Sequence, residues 1–596
     1  MTAAEVLLSF GMAFFVVMFG MNVGVILTWA DRRQGAMIQD RVGPNRAVIW
    51  LSRPVAQILA AVPAILAAAG VLALAALTDV HGEERTSRAQ WFSHAAILMT
   101  WLTGLVIASR VVQRGTRNSF DRFIKSIGDP RRFVYSGLFC HAVALFVSMS
   151  LPGTEAGWLL REIGFRSGPA LTAFTILFGA GYSAYSIRKE KRVGLRLAGL
   201  LHPAADGLKT LFKEDFIPPN ADRLLHSLAP FISFFPALVV LAVVPFGDTL
   251  CFDVGASGEL DFTALLNPMS TVPADGACGA GAVPLQVVDL NVGILYFFAL
   301  AGTGIVGAAL AGWASDNKFS LLGGLRAASQ MVSYEVTLGL TLIGALMIYG
   351  TLRIDDMVRW QAENAWGIFV QPLAFLLFFA ASVAESKRIP FDIPEGESEI
   401  VAGYFTEYAG MKFAMFFFSE YIAVVSSSAL MAAIFLGGWH LPFLDRDGIR
   451  VVFGESVLFE QSMSHGIVIL LGVLAFIGKT VTLCWVQLTI RWTLPRFRYD
   501  QLMRLGWRKL LPTSLVNILA TGLVMLALSS VGPSLIPALA FLGHLTMAVV
   551  ALAGAFGLVA LFIFFMTPAK KRRFVASSSA RFAQMMGGTR TARMGA

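Results

Sequence analysis

Pro372-Leu373-Ala374-Phe375-Leu376-Leu377-Phe378-Phe379-Ala380-Ala381-Ser382-Val383-Ala384 runs straight into Glu385-Ser386-Lys387-Arg388-Ile389-Pro390-Phe391-Asp392-Ile393-Pro394-Glu395-Gly396-Glu397-Ser398-Glu399. The first stretch is soluble in hydrocarbon. The second sets five carboxylates and two cations at the edge of that hydrocarbon. Burying an ionised carboxylate costs several kcal/mol unless it is paired, hydrated or protonated, and acids beside membrane segments mark ion or proton pathways. Pro390 and Pro394 forbid a continuous helix. Residues 385–405 therefore read as a folded-in loop presenting Glu385, Asp392, Glu395, Glu397 and Glu399, against the plainer alternative of a solvated acidic loop.

The rest of the chain places the strip in a membrane. Of 596 residues 56% are apolar and only 14% charged, with a mean hydropathy of +0.68. Apolar stretches of about 20 residues, long enough to cross a bilayer as a helix, recur throughout. Spans are expected near 5–29, 54–77, 91–112, 133–151, 169–187, 227–246, 290–312, 327–350, 366–384, 411–436, 463–490, 513–532 and 536–566. The fold class is thus an all-α polytopic membrane protein of about thirteen helices. Loop charge orients it, because short loops rich in Lys and Arg stay cytoplasmic. Residues 110–132 hold seven basic side chains, 188–196 five, 491–510 six and the tail after 567 seven, while the 248–289 loop holds none. That alternation puts the N-terminus outside and the C-terminus inside. It also accounts for the +9 net charge without a nucleic-acid surface. The first helix has neither a basic leader nor a cleavage signal and reads as retained.

Four cysteines without a CxxC pair argue against an iron–sulfur or zinc site held by cysteines of this chain, and no phosphate loop or dinucleotide fingerprint appears. Electrons, if the protein handles them, come from a partner. Glu335 and Glu420 stand within apolar helices, where desolvation brings a lone acid towards proton exchange; the alternative is an acid satisfied by a neighbouring Arg or Ser. Arg32, Arg41 and Arg46 read equally well as membrane anchors. The Phe413–Phe418 run reads as packing or lipid contact.

A series of motifs then narrows the class: Asp31-Arg32-Arg33, Ile38-Gln39-Asp40-Arg41-Val42-Gly43-Pro44-Asn45-Arg46, Leu200-Leu201-His202-Pro203-Ala204-Ala205-Asp206-Gly207-Leu208-Lys209, Ala327-Ala328-Ser329-Gln330-Met331-Val332-Ser333-Tyr334-Glu335, the acidic strip, Thr406-Glu407-Tyr408 and Trp507-Arg508-Lys509-Leu510-Leu511-Pro512. This order resembles the H membrane subunit of complex I, the proton-translocating NADH:quinone oxidoreductase of the respiratory chain. The resemblance implies a multi-pass protein of the bacterial cell inner membrane, with a periplasmic N-terminus, at the membrane end of a quinone (ubiquinone-type) chamber. Arg32, Arg41, Asp206, Lys209, Arg388 and Phe391 would lie near the quinone, and Glu335, Glu385, Glu407, Glu420, Glu397 and Glu399 would belong to the acidic proton path. It further implies that NAD, FMN and iron–sulfur clusters reside only in partner subunits. One such partner would dock on the cytoplasmic loops, and small membrane subunits would stand alongside. A related reading is the anchor subunit of a membrane-bound hydrogenase; a transporter would call for an internal repeat, and none is visible.

The chain departs from that family in its insertions. Residues 1–47 are expected to form the first helix and quinone-chamber loop, 48–198 an inserted four-helix segment, 199–535 a seven-helix core with the cytoplasmic loop 385–410, and 536–596 an extra helix and basic tail. Asp31 stands where the family usually has Glu. Cys251 and Cys278 share the loop read as external, so they are expected to pair, whereas Cys140 and Cys484 lie in spans and should stay reduced.

Overall fold

The computed structural model describes residues 3–39, 199–254, 281–446, 448–453, 456–463, 465–531 and most of 542–557, with short pieces at 44–58, 193–195 and 260–261. The expected spans at 54–77, 91–112, 133–151 and 169–187 lie almost wholly outside the described residues, as do Cys140 and Cys278. Of the expected last helix, Leu545–Gly554 is described, and it is apolar and helical. The chain divides into two units, Met1–Ala548 and Val549–Ala596, and everything below concerns the first.

Among the described residues seven helices are long and apolar enough to cross a membrane. Those used below are α1 (Ala3–Ile38), α2 (Leu201–Leu211), α3 (Arg223–Val239), α4 (Gly293–Ala314), α5 (Lys318–Tyr349), α6 (Ile354–Glu363), α7 (Pro372–Glu385), α8 (Gly410–Phe435), α9 (His465–Thr493), α10 (Tyr499–Leu505) and α11 (Leu511–Val531). Local chemistry sets several ends. Asp222 caps α3 by accepting from the backbone N–H groups of Leu224 and Leu225 at 3.0 and 3.1 Å, and Asn317 caps α5 through Phe319 N–H at 2.9 Å. Gly350 closes α5 at a φ of 67°. The span expected at 366–384 is broken: Gly367–Val370 forms one short turn, and α7 restarts at Pro372, whose ring suits a first helical position. Gln371 occupies the break and bonds across to α11, donating to Thr521 Oγ1 at 2.8 Å and accepting from Asn517 at 3.2 Å.

The bundle packs round α8, the most buried of the long helices. Helices α1, α3 and α9 flank it, α4 lies on α3, and α5 lies between α4, α7 and α11. Where α4 meets α5 the contact is made by small residues. A Cβ on Gly312 would come within 2.8 Å of Ser320 O, and one on Gly324 within 3.0 Å of Ala308 O. Such seams let helix backbones approach closely in lipid, where burial alone gives no driving force. Away from the acidic strip, the three-stranded sheet of Leu444–Asp445, Gly448–Phe453 and Ser456–Ser462 and the antiparallel strands at 250–254, 260–261 and 281–283 cover one end of the bundle. Ion pairs pin them there: Arg446 chelates Asp248 at 2.6 and 2.9 Å, and Arg353 reaches Asp289 at 2.7 Å. Cys251 is disulfide-bonded, with its partner outside the described residues, and Cys484 is a buried free thiol.

Candidate functional site: a buried acid–base network

The strip does fold in. From Ser386 to Gly396 it is non-helical, passes through a cis Ile389–Pro390 bond, and buries Lys387, Arg388, Phe391 and Asp392. Two features hold it against α5. The Gln330 side chain, fully buried, donates both amide hydrogens, to Ala384 O and Phe391 O, each at 2.7 Å. Gly403, at a φ of 55°, brings the returning chain so near Pro394 that a Cβ would fall 1.7 Å from its carbonyl oxygen.

This fold builds an ion pair inside the bundle. Arg388 Nη2 stands 2.9 Å from Glu420 Oε2, with side-chain exposures of only 9% and 1%. The pair is not aligned as a hydrogen bond, and Oε2 remains an open acceptor. The other oxygen accepts from Tyr404 OH at 3.1 Å, which in turn accepts from Lys387 Nζ at 3.3 Å. The Arg388 guanidinium also lies over the Phe417 and Tyr421 rings, at 4.9 and 4.3 Å. Tyr421 OH donates to Asp31 at 3.0 Å, and Arg491 and Trp492 complete that carboxylate at 2.5 and 2.8 Å. Asp31 is thus fully occupied in tying α1 to α8 and α9, which its short arm suffices to do.

Burial sets the protonation of the loop. It pushes Glu395 up to about 8, helped by the nearby Glu420 and Asp392 charges. It also raises Asp392, against the pull of Arg496 2.7 Å away. Burial lowers Lys387 although Glu420 opposes it; for Arg388 burial is again the largest single influence and lowers, but Glu420, Tyr421, Glu395 and Asp31 together outweigh it and hold the guanidinium the more firmly charged.

Beyond the pair lies a cavity of about 60 Å³ between α3, α4, α7 and α8, room for a few waters. Glu385, Glu420 and Lys387 line it with a run of serines. Ser382, Ser386, Ser419, Ser426 and Ser427 each donate to a carbonyl three residues back on their own helix. Their oxygens are therefore left to the cavity as acceptors.

The remaining expected residues are dispersed around this centre. Glu335, one turn beyond Gln330 on α5, is half-buried against α4, its Oε1 2.7 Å from where a Cβ on Gly302 would stand. Glu407 accepts from Asn317 at 2.7 Å, and Glu399 pairs with Arg326 at 2.7 Å near the surface. Arg32 and Asp206 pair at 2.7 Å where α1 meets α2, each side chain about half exposed, with Lys209 exposed one turn along α2. Phe391 is not on an open wall: it stacks on Phe497 at 5.4 Å and 9°. Arg41 and the Glu397 side chain lie outside the described residues. Lys387, Tyr404, Gln330 and the serines were missed by the sequence reading. Lys387 stood inside the quoted strip, but nothing in composition or spacing says that a tyrosine sixteen residues from Glu420 will bond to it.

The geometry defines a polytopic helical membrane protein with a buried acid–base network at one end of its bundle. Its sequence relatives agree with that class. Residues 172–522 match the NADH dehydrogenase family. The chain is 42% identical over 358 residues to the second NADH-quinone oxidoreductase H subunit of Geobacter metallireducens, covering 59% of this chain and 92% of that one. It is 40% identical over 362 residues to the first such H subunit of Cytophaga hutchinsonii, covering 59% and 94%, and 41% identical over 367 residues to that of Thermomicrobium roseum, covering 58% and 92%. The chain belongs to this family, that of the H membrane subunit of complex I.

Proposed function

We propose that this chain, as the membrane subunit of a proton-translocating NADH:quinone oxidoreductase, closes the membrane side of the quinone chamber and begins the proton path. The observation that carries the reading is the acceptor-lined cavity joined to the buried strip: carboxylates Glu385 and Glu420 face it, Glu335 lies against α4 on α5, and Tyr404 and Lys387 link it to the loop. A proton taken up at the strip has groups within reach to receive it. Glu407, Glu397 and Glu399 extend the acidic set towards the cytoplasm. Arg32 and Asp206, half exposed where α1 meets α2, and Lys209 on α2 would meet a quinone headgroup, and Arg41, outside the described residues, is assigned to the same chamber. Arg388 and Phe391 act on it through the loop they hold.

The same reading supplies the wider frame: thirteen spans with the N-terminus periplasmic and the C-terminus cytoplasmic, in a bacterial inner membrane. It includes the inserted segment at 48–198, the core at 199–535 and the extra helix after 536. Other complex I subunits are the partners, and they carry NAD, FMN and the iron–sulfur clusters; quinone is the substrate shared with them. Relatives named as quinone oxidoreductase subunits favour this over a hydrogenase anchor.

The chamber is tested by Arg32→Met in the assembled complex. Loss of a charge-assisted contact should slow quinone reduction roughly tenfold, the weight of about 1.4 kcal/mol, while NADH oxidation by a water-soluble acceptor is unchanged. Unimpaired quinone reduction would remove Arg32 from the chamber, and hydrogen evolution by the purified complex in place of quinone reduction would overturn the reading.

A further inference from the structure

Lys479 lies inside the apolar helix α9, far along the bundle from the acidic strip and outside the network described above. Its ammonium donates to three backbone carbonyls, Leu436 at 2.7 Å, Gly438 at 2.8 Å and His440 at 2.6 Å. It also stands 4.2 Å from the centre of the Trp366 ring. A neutral amine has two hydrogens to give, so three short donations require the charged form. The acceptors are carbonyls left open just past the end of α8. Gly437 and Gly438, at φ of 69° and 49°, turn the chain there. The Trp366 indole N–H reaches the His440 ring at 3.4 Å, and no carboxylate of the described residues pairs with the Lys479 ammonium.

Between this charge and the cavity α8 offers Ser428, whose hydroxyl is taken up by the Gln487 amide at 3.1 Å, and then Ala429-Leu430-Met431-Ala432-Ala433-Ile434-Phe435, every one of them buried. Phe435 is wedged against Phe375 and Phe378. At the rise of a helix, Leu436 lies roughly 13 Å beyond Ser427, the deepest serine of the cavity on α8. An apolar plug is thus backed by a fixed positive charge. We infer that Lys479 is an electrostatic barrier that stops protons gathered at Glu420 and Glu385 from leaking through the bundle to its far end, so that they must leave sideways. The inference rests on the proposed proton path. A unit charge at that distance, screened as protein interiors screen it, disfavours an arriving proton about tenfold, and fixed charges exclude protons from pores in the same way.

A helix cap alone would explain the three hydrogen bonds, so the test separates charge from capping. Lys479→Gln keeps two donors and removes the charge; Lys479→Arg keeps the charge. The intact complex carrying each is reconstituted in liposomes, and passive proton conductance under an imposed pH gradient without NADH is normalised to assembled complex. K479Q should leak about tenfold more than the parent and move fewer protons per NADH at an unchanged rate of quinone reduction, while K479R stays tight. A tight K479Q complex, or a K479R complex that leaks as much as K479Q, would overturn the barrier. Glu385→Gln in the same liposomes separates the two ideas: normal pumping there would sink the proton path, whereas the leak comparison stands by itself.

Discussion

Single residues in the strip carry opposite electrostatic duties within a few ångströms. Arg388 is held charged by Glu420, while Glu395, one turn of loop away, favours its neutral form at physiological pH because burial outweighs the nearby guanidinium. Since the folded state raises Glu395 from 4.5 to about 8, its contribution to stability is complete below about 4.5 and is lost as pH rises through about 8. The thermal midpoint of the assembled complex should therefore fall between pH 6 and 8.5, and Glu395→Gln, permanently neutral, should flatten that fall. Identical slopes for parent and variant would show that Glu395 is not held protonated. At this scale the sequence was informative only about types. Glu420 and Glu335 announced themselves as acids in apolar helices, but which of them finds an arginine depends on a loop that arrives from thirty residues away. Lys479 was equally visible as the lone lysine of its span, and charge counting over loops passes over it.

At the level of elements, α5 is the spine of the site. Ser320, Arg326 and Gln330 meet the strip in turn, at Tyr404 O, Glu399 and the Ala384 and Phe391 carbonyls, and Glu335 follows on the next turn. Any displacement of the strip is thereby felt beside Glu335. Gln330→Met keeps the volume but removes both bonds: Ala384 O retains the Lys387 N–H, whereas Phe391 O loses the partner Gln330 gave it, at about 1–3 kcal/mol. We expect a lower thermal midpoint and fewer protons moved per NADH, with Gln330→Glu restoring neither because an ionised carboxylate has no hydrogen to donate to either carbonyl. A full proton ratio in Gln330→Met would make the clamp purely structural. The apolar periods placed α3, α4, α8, α9 and α11 to within a few residues, while α1 runs nine residues past the expected end and α5 begins nine residues before the expected start. They could not give the break at Gln371, since apolar residues flank it on both sides and only Pro372 hinted at a restart. The inward fold of 385–405 was legible from Pro390 and Pro394; the burial of Arg388 and Asp392 was not, because their partners Glu420 and Arg496 are distant in sequence.

Among the described residues of the larger unit, the acid–base network occupies one end of the bundle, the buried apolar stretch of α8 the middle, and the ion pairs of Asp248, Arg446, Arg353 and Asp289 with their sheets the other. This polarity suits the proposed function, in which protons are taken up at one end and their direct passage is barred. The central claim, that Glu335 and Glu385 carry those protons, is tested most directly by proton uptake per NADH in vesicles holding complexes with Glu335→Gln or Glu385→Gln. The amide keeps the shape but cannot carry a proton. Each complex should assemble, and proton transfer through the altered position should slow on the order of a hundredfold, with the proton ratio falling accordingly. Unchanged rate and ratio in both variants would contradict the account.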